Sequence, residues 1–343
     1  MPAVSVVVPS YNVAPYIGEC IRSLQNQTLH DFEVIIVDDH SSDDSCACAQ
    51  AAIEGDDRFT LIALPENNGQ SHARNVGIEH ASGTYITFLD ADDYYEDTAL
   101  AQLSKRAQRD RLDLLFFSAS TFYESRELRR THNENQDDRA DIDGVMAGTD
   151  LFVSFEDTES FRPSACLFVM RRSLLESSSL RFEEGIIHED LLFTILAMAQ
   201  GKRTAFMNTS LYHRRMREGS TMTTKRGMRN INGLFTVALR LQEWLHEHVD
   251  LLSSSYVDAF CHELFITWDQ LARDSNRVAK QELDAYRDGL SASDRATFDL
   301  IVFEHGKMLD SVYHEVYDSL TFRIGRVFMA FPSWLKSRIK MPS

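Results

Sequence analysis

The chain has 343 residues, of which 43% are hydrophobic and 25% are charged, and it carries a formal net charge of −17 at pH 7. This length is enough for one large domain and a smaller one, each with its own core. The acidic balance argues against nucleic acid as a partner, because binding to phosphates requires a basic surface.

Cysteine content and the N-terminal residues bear on the cellular compartment. The five cysteines are odd in number, and Cys46 and Cys48 lack the second ligand pair that a zinc site requires, so we expect reduced thiols in a cytosolic protein. The N-terminal apolar run is too short for a signal peptide and follows no basic region. No stretch approaches the ~20 apolar residues of a membrane span. The sequence therefore predicts a cytoplasmic protein.

The first 120 residues alternate between short apolar runs and amphipathic segments. The apolar runs predict strands at residues 3–9, 32–39, 58–65, 84–90 and 112–120. The segments between them predict helices at residues 14–27, 45–53, 71–80 and 98–109. Nearly continuous apolar strands that alternate with helices indicate an α/β fold with a mostly parallel sheet covered on both faces.

In the remaining two thirds of the chain the hydrophobic pattern changes twice. Residues 121–165 are polar and irregular in pattern, and we interpret them as a variable excursion from the sheet. Residues 164–200 resume with a strand, a turn and a helix that begins near His188. From about residue 225 onward the pattern is helical, which predicts a helical C-terminal region over residues 223–318.

Acidic residues follow two of the predicted strands at the point where each strand ends. They are Asp38, Asp39, Asp90, Asp92 and Asp93. Because ligands bind beyond the carboxyl ends of parallel strands, we expect both groups to build one site. A D-x-D pattern can hold a divalent cation, which offsets the repulsion between the acids and bridges a diphosphate. The alternative is that these residues only form turns and cap the next helix.

Five motifs occur in order along residues 3–222. They are VSVVVPSYN (4–12), EVIIVDDHSSDDS (33–45), NNGQSHARNVGIEHASGTYITFLDADD (67–93), LRFEEGIIHEDLLF (180–193) and YHRRMREGSTM (212–222). Through them the chain resembles a family 2 glycosyltransferase of the bacterial kind that builds surface polysaccharides. The resemblance implies the GT-A fold, a Rossmann-like mixed sheet with helices on both faces, as a catalytic domain over residues 1–222. It also implies a nucleotide-diphosphate-sugar donor, usually a UDP-sugar, and a divalent cation, Mn²⁺ or Mg²⁺.

The resemblance assigns the nucleoside to the ends of the first two strands. Pro9 and Tyr11 would line the uracil, with the Tyr11 ring stacked on the base. Asp38 and Asp39 would accept hydrogen bonds from the base or ribose, which suits carboxylates that face N–H and O–H groups. The alternative for this acidic pair is that it simply ends the strand.

Two later motifs supply the remaining donor contacts. The resemblance places Asn67, Asn68 and Arg74 against the uridine and beside the phosphates. The alternative for Arg74 is an ion pair on a helix surface. Arg217 and Ser220 occupy the family's R-x-G-S-like position, and an arginine there suits a diphosphate clamp.

The acidic cluster carries the implied metal site. Asp92 would bind the cation directly, Asp90 would contact the ribose or the metal shell, and Ala91 between them belongs to the same donor-binding motif. His213 is the candidate that completes the shell, and mixed carboxylate and imidazole ligands suit Mn²⁺ at least as well as Mg²⁺. Many relatives have an aromatic residue at the His213 position, so both alternatives stay open there.

The acids of the HED motif at residues 188–190 are the candidate catalytic residues. In the family the matching Asp serves as general base, so Asp190 would take the proton of the acceptor hydroxyl, and Glu189 would orient the acceptor or Asp190. A positioned base contributes on the order of 10²–10⁴ in rate. The alternative is that acids in the first turn of a helix are favoured by its dipole alone. One base without a nucleophile implies a single displacement with inversion.

Residues 319–343 contain five basic residues and no acidic one. Apolar residues recur there at three- and four-residue steps, which is typical of a helix that docks on an anionic membrane surface. The alternatives are packing on the helical region of the same chain or a contact in a homodimer. The membrane interpretation suits a lipid-linked glycan acceptor at the inner face of the plasma membrane.

The pattern as a whole favours transfer of a hexose or N-acetylhexosamine from a UDP-sugar to a hydroxyl of a glycan acceptor. A nucleotidyltransferase would carry a glycine- and lysine-rich phosphate loop where this chain has PSYNVAPY. A non-catalytic sugar-nucleotide-binding partner would typically lose the acid at position 190. A nicotinamide-dependent oxidoreductase is disfavoured, because no G-x-G-x-x-G follows the first strand.

Overall fold

A computed structural model describes residues 1–131, 139–220, 223–224 and 226–304. The described residues form two compact units. The first unit contains residues 1–185 and 189–224, and the second contains residues 186–188 and the described residues from 226 onward. The basic segment at residues 319–343 lies outside the described residues, so its docking on a membrane stays a prediction.

The strands of the first unit form one eight-stranded sheet within the described residues. They are β1 (Val4–Ser10), β2 (Phe32–Asp38), β3 (Phe59–Ala63), β4 (Tyr85–Phe88), β5 (Tyr94–Tyr95), β6 (Leu114–Tyr123), β7 (Phe168–Arg171) and β8 (Thr204–Met216). The helices are α1 (Ile17–Gln25), α2 (Ser45–Ala52), α3 (Gln70–His80), α4 (Ala99–Arg109), α5 (Arg126–Thr131), α6 (Gly148–Asp157), α7 (Arg172–Ser178) and α8 (Glu189–Gln200).

The sheet has the strand order β3-β2-β1-β4-β7-β6-β8-β5. β1 pairs in parallel with β2 and β4, and β2 pairs in parallel with β3. β7 is antiparallel to β4 and β6, β8 is parallel to β6, and β5 is antiparallel to β8. The predicted α/β fold with a mixed sheet is therefore confirmed. The strand order reverses at β1, and a crevice beyond the carboxyl ends of the strands is the expected ligand position in such a sheet.

Apolar sequence explains the centre of this sheet. Every residue of β1 is buried, as is every residue of β2 except one, which is why both strands read as continuous apolar runs. α3 lies against β1 at Gly77, where a Cβ atom would come within 2.2 Å of Val7 Cγ1. Glycine thus lets α3 approach the sheet closely, and that approach sets the position of the polar residues in its first turns.

Two strands, β5 and β8, and three helices, α5, α6 and α7, were not predicted. Residues 121–165 contain the end of β6 together with α5 and α6, so the interpretation of that stretch as irregular is wrong there. β5 has only two residues and directly follows the acidic motif, and β8 carries polar residues through much of its length. Pairing makes both of them strands, since β8 pairs with β6 from Thr204 to Met216 and β5 pairs with β8 at His213 and Tyr212.

The second unit is helical throughout its described elements, which confirms the predicted helical C-terminal region. Its helices are α9 (Met228–His248), α10 (Ser254–Ser275), α11 (Lys280–Asp288) and α12 (Ala292–Val302). α9 and α10 pack through aromatic side chains, including Trp244 stacked on Phe260 at 5.5 Å between ring centroids. In the part of the chain that the structure describes, no helix is both long and apolar enough to cross a membrane. All five cysteines are described and none forms a disulfide.

Candidate active site

The turns after β1 and β2 are tied together where the nucleoside is predicted to bind. Asn12, in a left-handed conformation with φ of 51°, accepts a hydrogen bond from the Ser42 amide at 2.8 Å. The Asn12 amide in turn donates to Ser41 Oγ at 3.0 Å. Tyr11 precedes this turn and is 48% exposed, so its ring face is available to a flat ligand, whereas Pro9 is buried within β1.

Asp38 and Asp39 are both buried and both accept hydrogen bonds within the protein. Asp38 accepts from the amide and hydroxyl of Ser41, at 3.0 and 2.6 Å, in a turn closed by its own side chain. Asp39 accepts from the amides of Asn68 and Gly69 at 2.9 and 2.7 Å. These contacts show that the two acids do more than end β2, since Asp39 also holds the loop that leads into α3.

The loop before α3 gathers three of the predicted donor-binding residues. Asn67 Nδ2 donates to the backbone oxygen of Asp39 at 3.0 Å, and the neighbouring Asn68 amide contacts the Asp39 carboxylate. Gly69 follows with φ of 91°, a conformation that favours glycine, and α3 begins at the next residue. The structure therefore brings Asp39, Asn67 and Asn68 together, as the motifs predict.

Arg74 is the centre of the site. Its side chain is 1% exposed, which makes the alternative of a surface ion pair wrong. Nη1 donates to Glu189 Oε1 at 2.8 Å and to Asp190 Oδ1 at 2.7 Å, and Nη2 donates to Asp90 Oδ1 at 3.0 Å. One guanidinium from α3 thus joins the acidic motif after β4 to the acids at the start of α8.

The Phe182 ring packs against the Arg74 guanidinium. The Arg74 guanidinium lies 5.1 Å from the centroid of the Phe182 ring, and Asn75 fixes the Phe182 backbone by exchanging two hydrogen bonds of 3.0 and 2.9 Å with it. A planar cation held between a ring and three carboxylates keeps a single orientation. The residue order Arg74-Asn75 on α3 therefore builds the core of the site.

The two acids of α8 differ in their environments. Burial raises the pKa of Glu189 to about 7, with the charge of Asp190 adding to the rise and Arg74 opposing it. Burial also raises the pKa of Asp190, which Arg74 lowers and Asp90 raises. The Asp190 side chain remains 28% exposed, so it can reach a ligand while Arg74 favours its charged form.

The three acids of the motif after β4 have different hydrogen-bond partners. Asp90 accepts from Gln70 Nε2 at 2.9 Å as well as from Arg74. Asp92 Oδ2 accepts from Arg217 Nε at 2.7 Å. Asp93 is buried and accepts from the Tyr212 hydroxyl and from the Arg215 amide, the latter at 2.6 Å. Asp93 therefore serves the protein's own structure, and Ala91 is buried between its acidic neighbours.

Arg215 and Arg217 lie on the same aromatic ring at the end of β8. Their guanidinium carbons are 4.9 and 5.1 Å from the centroid of Tyr16. Arg215 also lies over Phe122 at 4.7 Å. Ser220, the other residue of the predicted clamp, contacts Thr223 Oγ1 at 3.2 Å in the turn that follows.

His213 has partners on both ring nitrogens. Nε2 lies 2.7 Å from Glu96 Oε1 and Nδ1 lies 2.7 Å from Ser120 Oγ, while Tyr94 stacks on the ring at 4.6 Å between centroids. Ligation of a cation by this histidine would require one of these hydrogen bonds to break. Its role as a metal ligand stays a prediction.

Asp92 and Asp90 supply carboxylate oxygens of the kind that a divalent cation binds, and in this structure they accept hydrogen bonds from Arg217, Arg74 and Gln70. Among the described residues no group of three or more His, Cys, Asp or Glu is arranged to hold a metal ion. Burial and the charge of Asp90 raise the pKa of Asp92, and Arg217 lowers it, so this carboxylate is stabilised by positive charge. Arg217 already occupies that place with a cationic group, and carboxylate oxygens suit Mg²⁺ and Mn²⁺.

Several residues of the site were missed at the level of sequence. Gln70, Asn75 and Tyr212 lie inside the quoted motifs, but nothing in their spacing indicated which backbone or carboxylate they contact. Tyr16 gave no signal at all, because an aromatic residue before α1 reads as ordinary core. Its contacts with Arg215 and Arg217 depend on residues about two hundred positions away.

Comparison with known proteins identifies the family. Residues 5–178, just over half of the chain, match the model of Glycosyl transferase family 2. The uncharacterized glycosyltransferase EpsJ of Bacillus subtilis is 35% identical over 215 residues, which cover 62% of this chain and 60% of that protein. The chain thus spans less than two thirds of the length of this relative.

Solved structures share the fold. S. aureus TarS 1-349 in complex with UDP-GlcNAc superposes with a TM-score of 0.66 at 21% identity, covering 96% of this chain and 88% of that one. The mannosyltransferase PcManGT from Pyrobaculum calidifontis, in complex with GDP-Man and Mn²⁺, has a TM-score of 0.55 at 18% identity, covering 96% and 85%. The fold is therefore GT-A, and the chain belongs to glycosyltransferase family 2.

Proposed function

We propose that this chain is an inverting glycosyltransferase that moves a hexose or N-acetylhexosamine from a UDP-sugar to a hydroxyl of a glycan acceptor in bacterial surface-polysaccharide synthesis. The observation that carries the proposal is the contact of Arg74 with Asp90 and with Asp190. It joins the motif that would bind the donor diphosphate to the acid that would activate the acceptor.

The donor would bind at the carboxyl ends of β1 and β2. The exposed ring of Tyr11 suits stacking on a base, and the loop held by Asp39 offers Asn67 and Asn68 beside it. TarS binds UDP-GlcNAc and PcManGT binds GDP-Man on the same fold, so the fold alone does not select the nucleotide. We choose UDP because Pro9, Tyr11 and Asp38–Asp39 match the uridine-binding motifs.

The leaving diphosphate would lie beside Asp90 and Asp92. A divalent cation, Mn²⁺ or Mg²⁺, held by these two acids would supply Lewis-acid stabilisation of the negative charge on the diphosphate. Arg217 and Ser220 would contact the phosphate oxygens from the end of β8, since an arginine binds them through two parallel N–H groups. His213, two residues along β8 from Arg215, remains the candidate additional ligand.

Asp190 would act as the general base. As the acceptor oxygen forms its bond to the anomeric carbon, the bond from that carbon to the diphosphate breaks, and the hydroxyl proton passes to Asp190. Arg74 holds Asp190 in place and favours its charged form, and Glu189 accepts a hydrogen bond from the same Nη1 atom. A single displacement of this kind inverts the anomeric configuration.

A donor-hydrolysis screen tests the proposal. We expect the full chain to release UDP from one of a panel of UDP-sugars in the presence of Mn²⁺, and to lose this activity with a chelator. Asp92→Ala should lower the rate at least about 100-fold. Asp56→Asn is the matched control, because Asp56 pairs with Arg58 at 2.6 Å outside the site.

Three outcomes separate the alternatives. If no UDP-sugar binds or turns over, or if Asp92→Ala leaves turnover unchanged, the proposed function is wrong. Cation-dependent binding of a UDP-sugar without turnover would favour the non-catalytic partner. Release of pyrophosphate from a nucleoside triphosphate would favour a nucleotidyltransferase.

We further propose that the protein acts on the cytoplasmic side of the membrane, where residues 319–343 would contact anionic lipid. The five basic residues of this segment, at roughly 1 kcal/mol each, would give reversible binding. Sedimentation with vesicles that contain anionic lipid should carry down the full chain. A chain that lacks residues 319–343 and sediments equally well would contradict the proposal.

A further inference from the structure

Arg217 forms an ion pair with Asp92, the carboxylate that is the leading candidate to bind the metal. Its Nε atom donates to Asp92 Oδ2 at 2.7 Å, and the two side chains are only 16% and 17% exposed. The guanidinium lies over the Tyr16 ring, which supports it from one side. A monovalent cation of the protein therefore stands where the proposed function needs a divalent one.

Arg215 shows that this arrangement is specific to Arg217. The Arg215 amide donates to Asp93, its Nε donates to the backbone oxygen of Asp92 at 2.9 Å, and its guanidinium pairs with Glu19 and Glu124. Arg215 could leave its position only by breaking several of these contacts. The guanidinium of Arg217 has one carboxylate partner within the described part of the chain, so it can move with the loss of one ion pair, a 3.5 Å contact with the backbone oxygen of Glu218 and the stacking on Tyr16.

We infer that Arg217 is an exchangeable cation, which neutralises Asp92 in the free protein and transfers to the donor diphosphate when donor and divalent cation bind. This inference rests on the proposed function and assigns an order of events to the same site. A diphosphate attracts the guanidinium through oxygens that accept bidentate hydrogen bonds. The released Asp92 oxygen then becomes available to the cation.

The exchange has a thermodynamic consequence. A divalent cation that binds alone must displace Arg217 or tolerate its positive charge, and both raise the free energy of binding. A divalent cation that binds with UDP meets neither obstacle, because the diphosphate provides Arg217 with a new partner. Mn²⁺ and UDP should therefore each tighten the binding of the other by the same factor.

Electron paramagnetic resonance measures free Mn²⁺ and gives its affinity for the protein without relying on activity, once the Mn²⁺ that UDP binds in a protein-free titration is subtracted. For the wild-type chain we expect saturating UDP to tighten Mn²⁺ binding about tenfold. For Arg217→Gln we expect Mn²⁺ alone to bind about tenfold tighter than to wild type, and UDP to tighten Mn²⁺ binding less than it does in wild type, the remaining effect being direct contact of the cation with the diphosphate. Arg217→Lys keeps the positive charge and should retain the coupling.

Arg58→Gln is the matched control. Arg58 also pairs with an aspartate, at 2.6 Å, and also lies over a ring, Phe32, at 4.7 Å. This variant should bind Mn²⁺ and UDP as the wild type does. It separates loss of the Asp92 ion pair from the general loss of a paired arginine.

Equal Mn²⁺ affinities of wild type and Arg217→Gln would overturn the inference, as would full coupling in Arg217→Gln. If Arg217→Gln does not fold, the wild-type chain decides, and absence of coupling between Mn²⁺ and UDP in it overturns the inference. A folded wild-type chain that binds neither Mn²⁺ nor any uridine nucleotide would overturn the proposed function as well. Normal Mn²⁺–UDP binding that does not respond to Arg217→Gln would overturn this inference alone.

Discussion

Asp39 and Asp92 both follow parallel strands at the same edge of the sheet, yet the protein uses their carboxylates differently. Asp39 accepts from two backbone amides, those of Asn68 and Gly69, which cannot leave without unfolding the loop before α3. Asp92 accepts from one side chain, Arg217, which can rotate away. An acid whose partners are backbone amides therefore holds the loops of the site in place, whereas an acid whose partner is a side chain is available to a ligand.

Asp93 and Asp190 differ in exposure. Asp93 is buried against a tyrosine hydroxyl and a backbone amide, whereas Asp190, which has Arg74 and the Ala165 amide as partners, remains partly exposed. Acids that the protein encloses should therefore affect stability, whereas acids that remain accessible to a ligand should affect activity. The Asp190 prediction and the Asp39–Asp92 prediction test this division, and the Glu189 and glycine predictions test the groups around Arg74.

The largest effect is expected for Asp190→Asn. An amide cannot accept the acceptor proton, so the transfer rate should fall by about 10²–10⁴ while the protein stays folded. Single-turnover transfer and thermal unfolding measure the two quantities. A transfer rate within about tenfold of wild type would assign the base to another residue, with Asp56→Asn as the unaffected control.

Glu189 should make stability depend on pH. Its pKa of about 7 lies above the ordinary value of 4.5, so between these values the folded state binds more protons than the unfolded state. The free energy of unfolding should therefore fall as pH rises through this window, by about 3 kcal/mol at most. Urea unfolding at pH 5 and pH 8 should show this fall in wild type and a smaller one in Glu189→Gln. An equal fall in both proteins would contradict the assignment to Glu189.

Asp39→Asn and Asp92→Asn give the direct test of the comparison. Asn at position 39 leaves one partly buried backbone amide without its carboxylate acceptor, which should lower the free energy of unfolding by about 1–2 kcal/mol. Asn at position 92 loses an ion pair but also relieves the repulsion from Asp90, so the change should stay within about 1 kcal/mol. Urea unfolding of both variants decides, and greater destabilisation by Asp92→Asn would reverse the division.

A pair of glycine substitutions gives the smallest effect. Gly77→Ala places a Cβ atom 2.2 Å from Val7 Cγ1 and should push α3, with Arg74, away from β1 at a cost of about 1 kcal/mol. Gly18→Ala meets only the flexible tip of Arg22 at 3.6 Å, so it should stabilise α1 by about 0.5–1 kcal/mol. Thermal unfolding measures both, and a stabilising Gly77→Ala would mean that α3 does not depend on this close approach.

Local pattern was sufficient for the central strands and for the order of the motifs. β1, β2 and β4 are continuous apolar runs, because each is buried on both faces and burial on both faces requires consecutive apolar residues. β5 and β8 contain no such run. β5 has two residues, and β8 carries polar residues at most of its central positions, so pairing rather than periodicity makes them strands.

By itself, the sequence determined the fold class, the family and which acids stand at the strand ends, because these depend on runs of neighbouring residues. Only the tertiary structure decided what those acids do. Arg74 and Asp190 are 116 positions apart, and Asp92 and Arg217 are 125 positions apart. A buried charge is stabilised by whichever groups the fold brings within hydrogen-bond distance, and no local pattern records that distance.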